Sequence, residues 1–254
     1  MELANADKTQ YTYNFWPTVD SYRLPGTTVL QNSKVDERKT SSCSWVGGTD
    51  INGIFGVTGM QLKTPGQNLS ANKGWFMFDN EIVCLGSGIT STDNKVVEAI
   101  VENRKINSSG SNSLLVNGVQ KSSSLGWSET MNGAEWAYLT GDSDDSSIGY
   151  YFPEGASVKG LGEARTGSWS EVTGAGSEIR YTKNFLTMLL DHGSNPSAKT
   201  YTYVLLPSVP SSDVSNYSSS PDITIPENSS DAMAVKENKL NIIGVNFVLL
   251  ELII

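Results

Sequence analysis

Histidine occurs once in this chain of 254 residues, cysteine twice, and charged side chains make up only 18% of it. The two cysteines, Cys43 and Cys84, lie too far apart for a metal-knuckle spacing, which argues against a zinc site. They read as buried thiols, with a mutual disulfide as the alternative. Lysine and arginine total 18 against 27 aspartates and glutamates, a net charge of −9, so there is no basic patch to displace counterions from nucleic acid. The first eight residues, Met1 to Lys8, lack both a basic segment and an apolar run and are not expected to form a signal peptide. Such a start suits an intracellular protein, an expressed fragment or a truncated reading frame. The apolar ending, Phe247 to Ile254, is too short to span a bilayer, so no membrane partner is expected. Without a second histidine, and without paired carboxylates at a recognisable spacing, no independent catalytic set is visible.

Glycine is plentiful at 24 residues, and with abundant Ser, Asn and Thr it favours many short strands joined by polar turns. The organising stretch is Lys73 to Ile89, two apolar runs around Asp79-Asn80. Both turn residues tolerate positive φ, so a two-residue hairpin is predicted, with Trp75 opposite Cys84, Phe76 opposite Val83 and Met77 opposite Ile82. Neither arm alternates cleanly, which places the hairpin in the middle of a sheet covered on both faces. A second hairpin is predicted on Asn117-Gly118, and Val96 to Arg104 reads as a strand. Ser44-Trp45 and Gly47 to Gly59 read as short strands around a loop. The glycine spacing there fits neither a P-loop nor a dinucleotide fingerprint. Ser208 to Pro226 reads as loop with at most one helical turn after Ser211 or Ser212.

Six phrases carry a resemblance. They are Trp16-Pro-Thr-Val-Asp-Ser-Tyr-Arg-Leu-Pro-Gly-Thr-Thr-Val29, Lys73 to Val83, Val101-Glu-Asn-Arg104, Thr166-Gly-Ser-Trp169, Asp191-His-Gly-Ser-Asn-Pro196 and Tyr201-Thr-Tyr-Val-Leu-Leu-Pro207. In this order they resemble the central β-sandwich domain of polysaccharide lyase family 8, the hyaluronate, chondroitin AC and xanthan lyases. The resemblance implies an all-β fold: an antiparallel supersandwich of stacked β-sheets, galactose mutarotase-like, over residues 11–254 after a lead-in of residues 1–10. It also makes Lys183 to Asp191, which carries some helical spacing, a strand. The chain stops where the family's domain continues, so a truncation or a shifted frame near Phe247 is expected.

The family cleaves acidic polysaccharides by β-elimination next to a uronic acid. That reaction needs a neutral donor to relieve the carboxylate charge, a base for the C5 proton and an acid for the leaving oxygen. The resemblance implies that an Asn, a His and a Tyr supply these from an N-terminal helical toroid that this sequence does not contain. His192 falls in a β-domain phrase and reads as a turn residue. The chain is therefore expected to bind an acidic polysaccharide, to act with a separate helical catalytic domain and to be inactive alone. A stand-alone carbohydrate-binding module and a non-functional fragment are the alternatives. The family is secreted or displayed at the cell surface, which the start of this chain leaves undecided.

The Arg-Leu-Pro-Gly-Thr-Thr turn is the candidate for closing on the sugar. Arg23 would pair with a carboxylate, and Thr27, Thr28, Gln31 and Asn32 would hydrogen-bond hydroxyls. Arg23 has an alternative partner in Asp20, three residues away. Trp16, Trp45 and Trp169 have the faces to stack on pyranose rings but are expected mainly to pack in the core. No cofactor is required by this reading. Asp142, Asp144 and Asp145 are the candidate ligands for Ca²⁺, which takes several oxygens from a flexible loop, with a solvated turn as the alternative.

Overall fold

The computed structural model describes residues 11, 14–33, 40–43, 45–109, 112–142 and 145–248. The lead-in 1–10, Ser44, Asp144 and the apolar tail 249–254 lie outside the described residues. The chain is mostly strand. In order come α1 (Phe15–Thr18), β1 (Thr28–Leu30), β2 (Val46–Ile51), β3 (Phe55–Lys63), β4 (Ser70–Met77), β5 (Ile82–Thr90) and β6 (Val96–Ile106). There follow β7 (Leu114–Val116), β8 (Val119–Gln120), β9 (Ser128–Leu139), β10 (Ile148–Gly167), α2 (Trp169–Thr173), β11 (Tyr181–Ser194) and β12 (Lys199–Pro207). The last elements are α3 (Ser211–Ser219), β13 (Ile223–Asn228), β14 (Ala232–Glu237) and β15 (Ile242–Phe247). Among the described residues, no helix is long and apolar enough to cross a membrane.

The chain forms two compact units. The first comprises residues 1–27, 99–191 and 206–215. Its strands run in the order β6-β11-β10-β9, with β7 and β8 continuing beyond β9, and β10 pairs antiparallel with both β11 and β9. The long β10 bends where Glu154 and Gly155 take positive φ, at a break in its register with β9. Asn117 and Gly118 both have positive φ between β7 and β8, which is the twist that the second predicted hairpin requires. Phe15, Val19 and Phe185 make a buried cluster, with Tyr11 and Leu24 packed against it. Each fully buried phenylalanine contributes roughly 1.5–3 kcal/mol, so this cluster fixes the short α1 far better than four residues of helix could alone. Gly167 makes that seat possible, because a Cβ there would lie 1.8 Å from the Pro17 carbonyl oxygen.

The second unit comprises residues 28–98, 192–205 and 216–254. Its main sheet runs β12-β5-β4-β3-β2, and the three-stranded sheet β13-β14-β15 stacks on it. The Asn246 carboxamide donates to the Thr58 carbonyl at 3.1 Å, and Gly244 lies against the Phe76 ring. The predicted central hairpin is β4–β5 with the expected pairing, Trp75 with Cys84, Phe76 with Val83 and Met77 with Ile82, but neither Asp79 nor Asn80 takes positive φ, so the expected type I′ turn is not the one formed. The hairpin's position between β3 and β12 explains why neither arm alternates. Cys43 and Cys84 are both free thiols, so the disulfide alternative is not taken.

Two expectations are corrected here. In place of loop from Ser208 to Pro226, the structure has α3 and β13. The helix is held by Val214, which is fully buried against Gly149, a tertiary contact that local composition does not reveal. Pro226 is accommodated in β13 at a register break between Thr224 and Glu227. His192 is the second correction: it sits within β11 rather than in a turn, its ring centroid 6.2 Å from that of Tyr201.

The Tyr201 ring lies directly over Gly86, where an added Cβ would come within 2.1 Å of it. Gly86→Ala is therefore expected to destabilise the second unit by about 2–3 kcal/mol through overpacking, measured by urea unfolding, and Gly47→Ala, where an added Cβ meets nothing within 4 Å, serves as the comparison. Glu81 is buried with one carboxylate oxygen lacking a hydrogen-bond partner. Burial, then the nearby Asp79, Glu237 and Asp222, push its pKa up to about 7, against a smaller opposing effect of Lys239. The folded state then holds this proton more tightly than the unfolded chain, so stability falls as pH rises from about 4.5 to about 7. Glu81→Gln should remove that part of the pH dependence; parallel wild-type and mutant curves across this window would contradict it.

Candidate functional site

The Arg23 turn is built in the first unit. Pro25 and Gly26, the latter at φ 77°, close it, and the Thr27 amide donates to the Leu24 carbonyl at 3.1 Å. The Gly26 amide donates to the Ile100 carbonyl at 2.8 Å and the Ile100 amide to the Thr27 carbonyl at 2.9 Å, so the turn is stitched to β6. The Asp20 side chain accepts from the Tyr22 amide and stands 3.9 Å from the Arg23 guanidinium. At that distance the ion pair is longer than a hydrogen bond. The predicted alternative partner of Arg23 is therefore present in the structure.

Beneath the turn lies a row of buried polar residues on β6. Asn103, 1% exposed, donates from Nδ2 to the Arg23 carbonyl at 2.8 Å. Its Oδ1 accepts from Arg165 Nη1 at 3.0 Å and from the Thr187 hydroxyl at 3.1 Å. Arg165 in turn pairs with Glu163 at 2.5 Å and lies over the Phe185 ring, 5.1 Å from its centroid. Glu102 accepts from the Asn103 amide at 2.9 Å and from the Tyr150 hydroxyl at 2.6 Å, with Arg104 at 3.5 Å. Burial and the adjacent Glu102 carboxylate hold the Tyr150 phenol well above its usual pKa, so it stays a donor. Arg104 also donates to the Ser146 carbonyl at 2.7 Å. The phrase Val101-Glu-Asn-Arg104 is visible in the sequence. Its role in supporting the turn is not, because its partners are 42 to 84 residues away.

The remaining sequence candidates are placed as follows. Thr27 donates its hydroxyl to the Leu24 carbonyl at 2.7 Å, inside the turn. In the second unit, Thr28 is 4% exposed and accepts from Lys73 Nζ at 3.0 Å, Gln31 donates to Glu98 at 2.8 Å, and Asn32 is exposed at φ 51°. Of the tryptophans, Trp45 and Trp169 are half-buried, and the Trp169 indole donates to the Asn14 side chain at 3.0 Å. Trp16 is 49% exposed, which corrects the expectation of core packing: the buried place on α1 goes to Phe15, and Trp16 meets that ring edge-on.

Asp142 and Asp145 lie exposed on the rim of an open polar pocket of about 520 Å³, shared with Tyr138, Thr140, Ser147 and Ser208. Asp142 accepts from the Asn107 side chain at 2.7 Å. Among the described residues, no group of three or more His, Cys, Asp or Glu side chains is arranged to hold a metal ion.

The family model described as polysaccharide lyase family 8, super-sandwich domain, matches residues 1–218. The chain belongs to this family. It is 46% identical over 248 residues to the xanthan lyase of Bacillus sp. (strain GL1), covering 96% of this chain and 27% of that enzyme. It is 34% identical over 241 residues to the hyaluronate lyase of Thermasporomyces composti, covering 93% and 30%. Among solved structures, a Paenibacillus xanthan lyase superposes with a TM-score of 0.92 at 56% identity, covering 95% of this chain and 24% of that one. The chondroitin AC lyase of Streptomyces coelicolor, in complex with chondroitin sulphate, superposes with a TM-score of 0.76 at 34% identity, covering 95% and 30%. The chain thus spans about a quarter to a third of the length of these relatives.

Lys73, 3% exposed, is held in the second unit between the Trp75 and Tyr201 rings, 5.7 and 5.6 Å from their centroids. Burial lowers its pKa to about 8. The unfolded chain then binds this proton more tightly than the folded one, so stability should rise as pH increases from about 8 to about 10.5. Thermal unfolding of wild type and Lys73→Met across that range checks it: the rise should vanish in the mutant.

Proposed function

We propose that this chain is the substrate-positioning β domain of a polysaccharide lyase acting on an acidic polysaccharide by β-elimination, with the chemistry supplied by a separate helical domain. The family match over residues 1–218, by a chain covering only 24–30% of the named lyases, carries this reading. Xanthan is the favoured polymer, because the higher of the identities reported above, 46% and 56%, are to xanthan lyases.

On this reading the Arg23 turn meets the sugar. Arg23 supplies positive charge for a carboxylate. The half-exposed Trp16 gives an apolar face suited to a pyranose ring. None of these groups removes a C5 proton at neutral pH, so the chain by itself binds without cleaving.

Calorimetric titration with xanthan, hyaluronan and chondroitin oligosaccharides, run beside an absorbance assay for unsaturated product, tests both halves. Binding without product is expected, with Arg23→Ala weakening it about tenfold or more, consistent with loss of a charged hydrogen bond of about 1.5–3 kcal/mol. Product formed by the chain alone would overturn the assignment of chemistry to another domain. No binding to any of the three would overturn the substrate-positioning role.

A further inference from the structure

We infer that Asn103 is the positioning residue of the Arg23 turn, presetting its backbone for an acidic sugar; this rests on the proposed role of that turn. A carboxamide withdrawn from water must fill its hydrogen-bonding positions, and Asn103 does so with three groups that fix its plane. Arg165 Nη1 and the Thr187 hydroxyl both donate to Oδ1, at 3.0 and 3.1 Å, which leaves Nδ2 as the donor facing the Arg23 carbonyl at 2.8 Å. The backbone amide of Asn103 is held as well, by Glu102 at 2.9 Å. Arg165 is braced by the Glu163 carboxylate and the Phe185 ring, and Phe185 belongs to the buried cluster that seats α1.

The orientation of the amide is therefore set from below, by two donors on β10 and β11, before it meets the turn. The carbonyl it grips belongs to the residue whose side chain is proposed to meet the glycan. Fixing that carbonyl fixes the peptide plane between Arg23 and Leu24, and with it the direction in which the Arg23 side chain leaves the backbone. An ordered turn spares the entropy of ordering it on binding.

Asn103→Asp is the informative substitution. It keeps the shape and both acceptor positions for Arg165 and Thr187 but, when ionised, cannot donate to the Arg23 carbonyl. Amide hydrogen exchange read residue by residue is expected to rise about tenfold at Arg23, Gly26 and Thr27, whose amides close the turn, while amides of β9 and β10 stay protected. Lowering the pH until the new carboxyl is protonated restores a donor, and the protection should return, which a simple packing defect would not show. Thr187→Val leaves the Nδ2 donor in place and should leave exchange at the turn unchanged. Asn103→Ser, neutral and too short to reach the carbonyl, covers the case in which the aspartate variant does not fold; it should raise exchange at the turn with no recovery at low pH.

Unchanged exchange at residues 23–27 in the folded Asn103 variants overturns the inference. Glycan titration separates this from the reading it rests on. If wild type binds, Arg23→Ala does not, and Asn103→Asp binds as wild type with the turn still protected, the inference falls and the reading stands. If wild type binds no glycan, the reading falls, and the exchange pattern with its recovery at low pH still decides whether Asn103 sets the turn.

Discussion

The hydrogen-bonding demand of polar groups buried inside an all-β framework governs the placement of the turn proposed to meet substrate. A buried amide or ammonium without partners costs about 1–3 kcal/mol or more, and strand backbones have already spent their own donors and acceptors on the ladders. Asn103, Arg165 and Thr187 satisfy one another on adjoining strands, and the position still open on Asn103 is filled by the Arg23 carbonyl. The turn is short: Leu24 packs against the Phe15 cluster, and the rest is held by local bonds of Asp20 and Thr27, by backbone stitching to β6 and by this carboxamide.

The second unit solves the same problem with a cation. Lys73 points from the central hairpin into a space bounded by the Trp75 and Tyr201 rings, and its ammonium donates to Thr28 at the start of β1. The aromatic faces offset part of the lost hydration, but not all of it, as the lowered pKa of Lys73 records. Tyr201 reaches that position because Gly86 leaves its face bare, and it stacks on Tyr203 at a centroid distance of 5.7 Å. One glycine, one lysine and two tyrosines thus make a single packed feature, whose members come from the phrases Lys73 to Val83 and Tyr201 to Pro207 and from the glycine-rich end of the hairpin.

What the sequence made legible follows from the range of the forces involved. The Asn117-Gly118 hairpin is legible because positive φ is a property of two neighbouring residues; at Asp79-Asn80 neither residue takes positive φ, yet the pairing of Trp75 with Cys84 still follows from the two-residue loop. The strand Val96 to Ile106 is legible from its pattern, and the family from six ordered phrases. The helix α3 is not, since its anchor, Val214 against Gly149, spans 65 residues and lies in a stretch whose composition signals loop. Nor is the exposure of Trp16, because competition between Phe15 and Trp16 for one buried place is settled by Phe185, far along the chain. The candidate turn was legible from Pro25-Gly26, whereas the residues that hold it were not, since each needs a partner brought in by the sheet.

The charge pattern of the first unit bears on how an acidic polymer would be met. Each described arginine there faces a carboxylate: Arg23 with Asp20, Arg104 with Glu102, Arg165 with Glu163 and Arg180 with Glu171. With a net charge of −9 on the whole chain, long-range steering of a polyanion has no source in these residues. Under the proposed function, recognition then works by exchange at short range, in which a sugar carboxylate takes up a guanidinium already near a carboxylate. Such an exchange is cheapest where the existing pair is loosest, because the close pairs would have to surrender good hydrogen bonds first. The Arg23–Asp20 separation of 3.9 Å is the longest of the four, against 2.5 Å for Arg165–Glu163. The same residue sits on the turn that Asn103 holds, so its backbone is held still while its distance to Asp20 is the longest of the four.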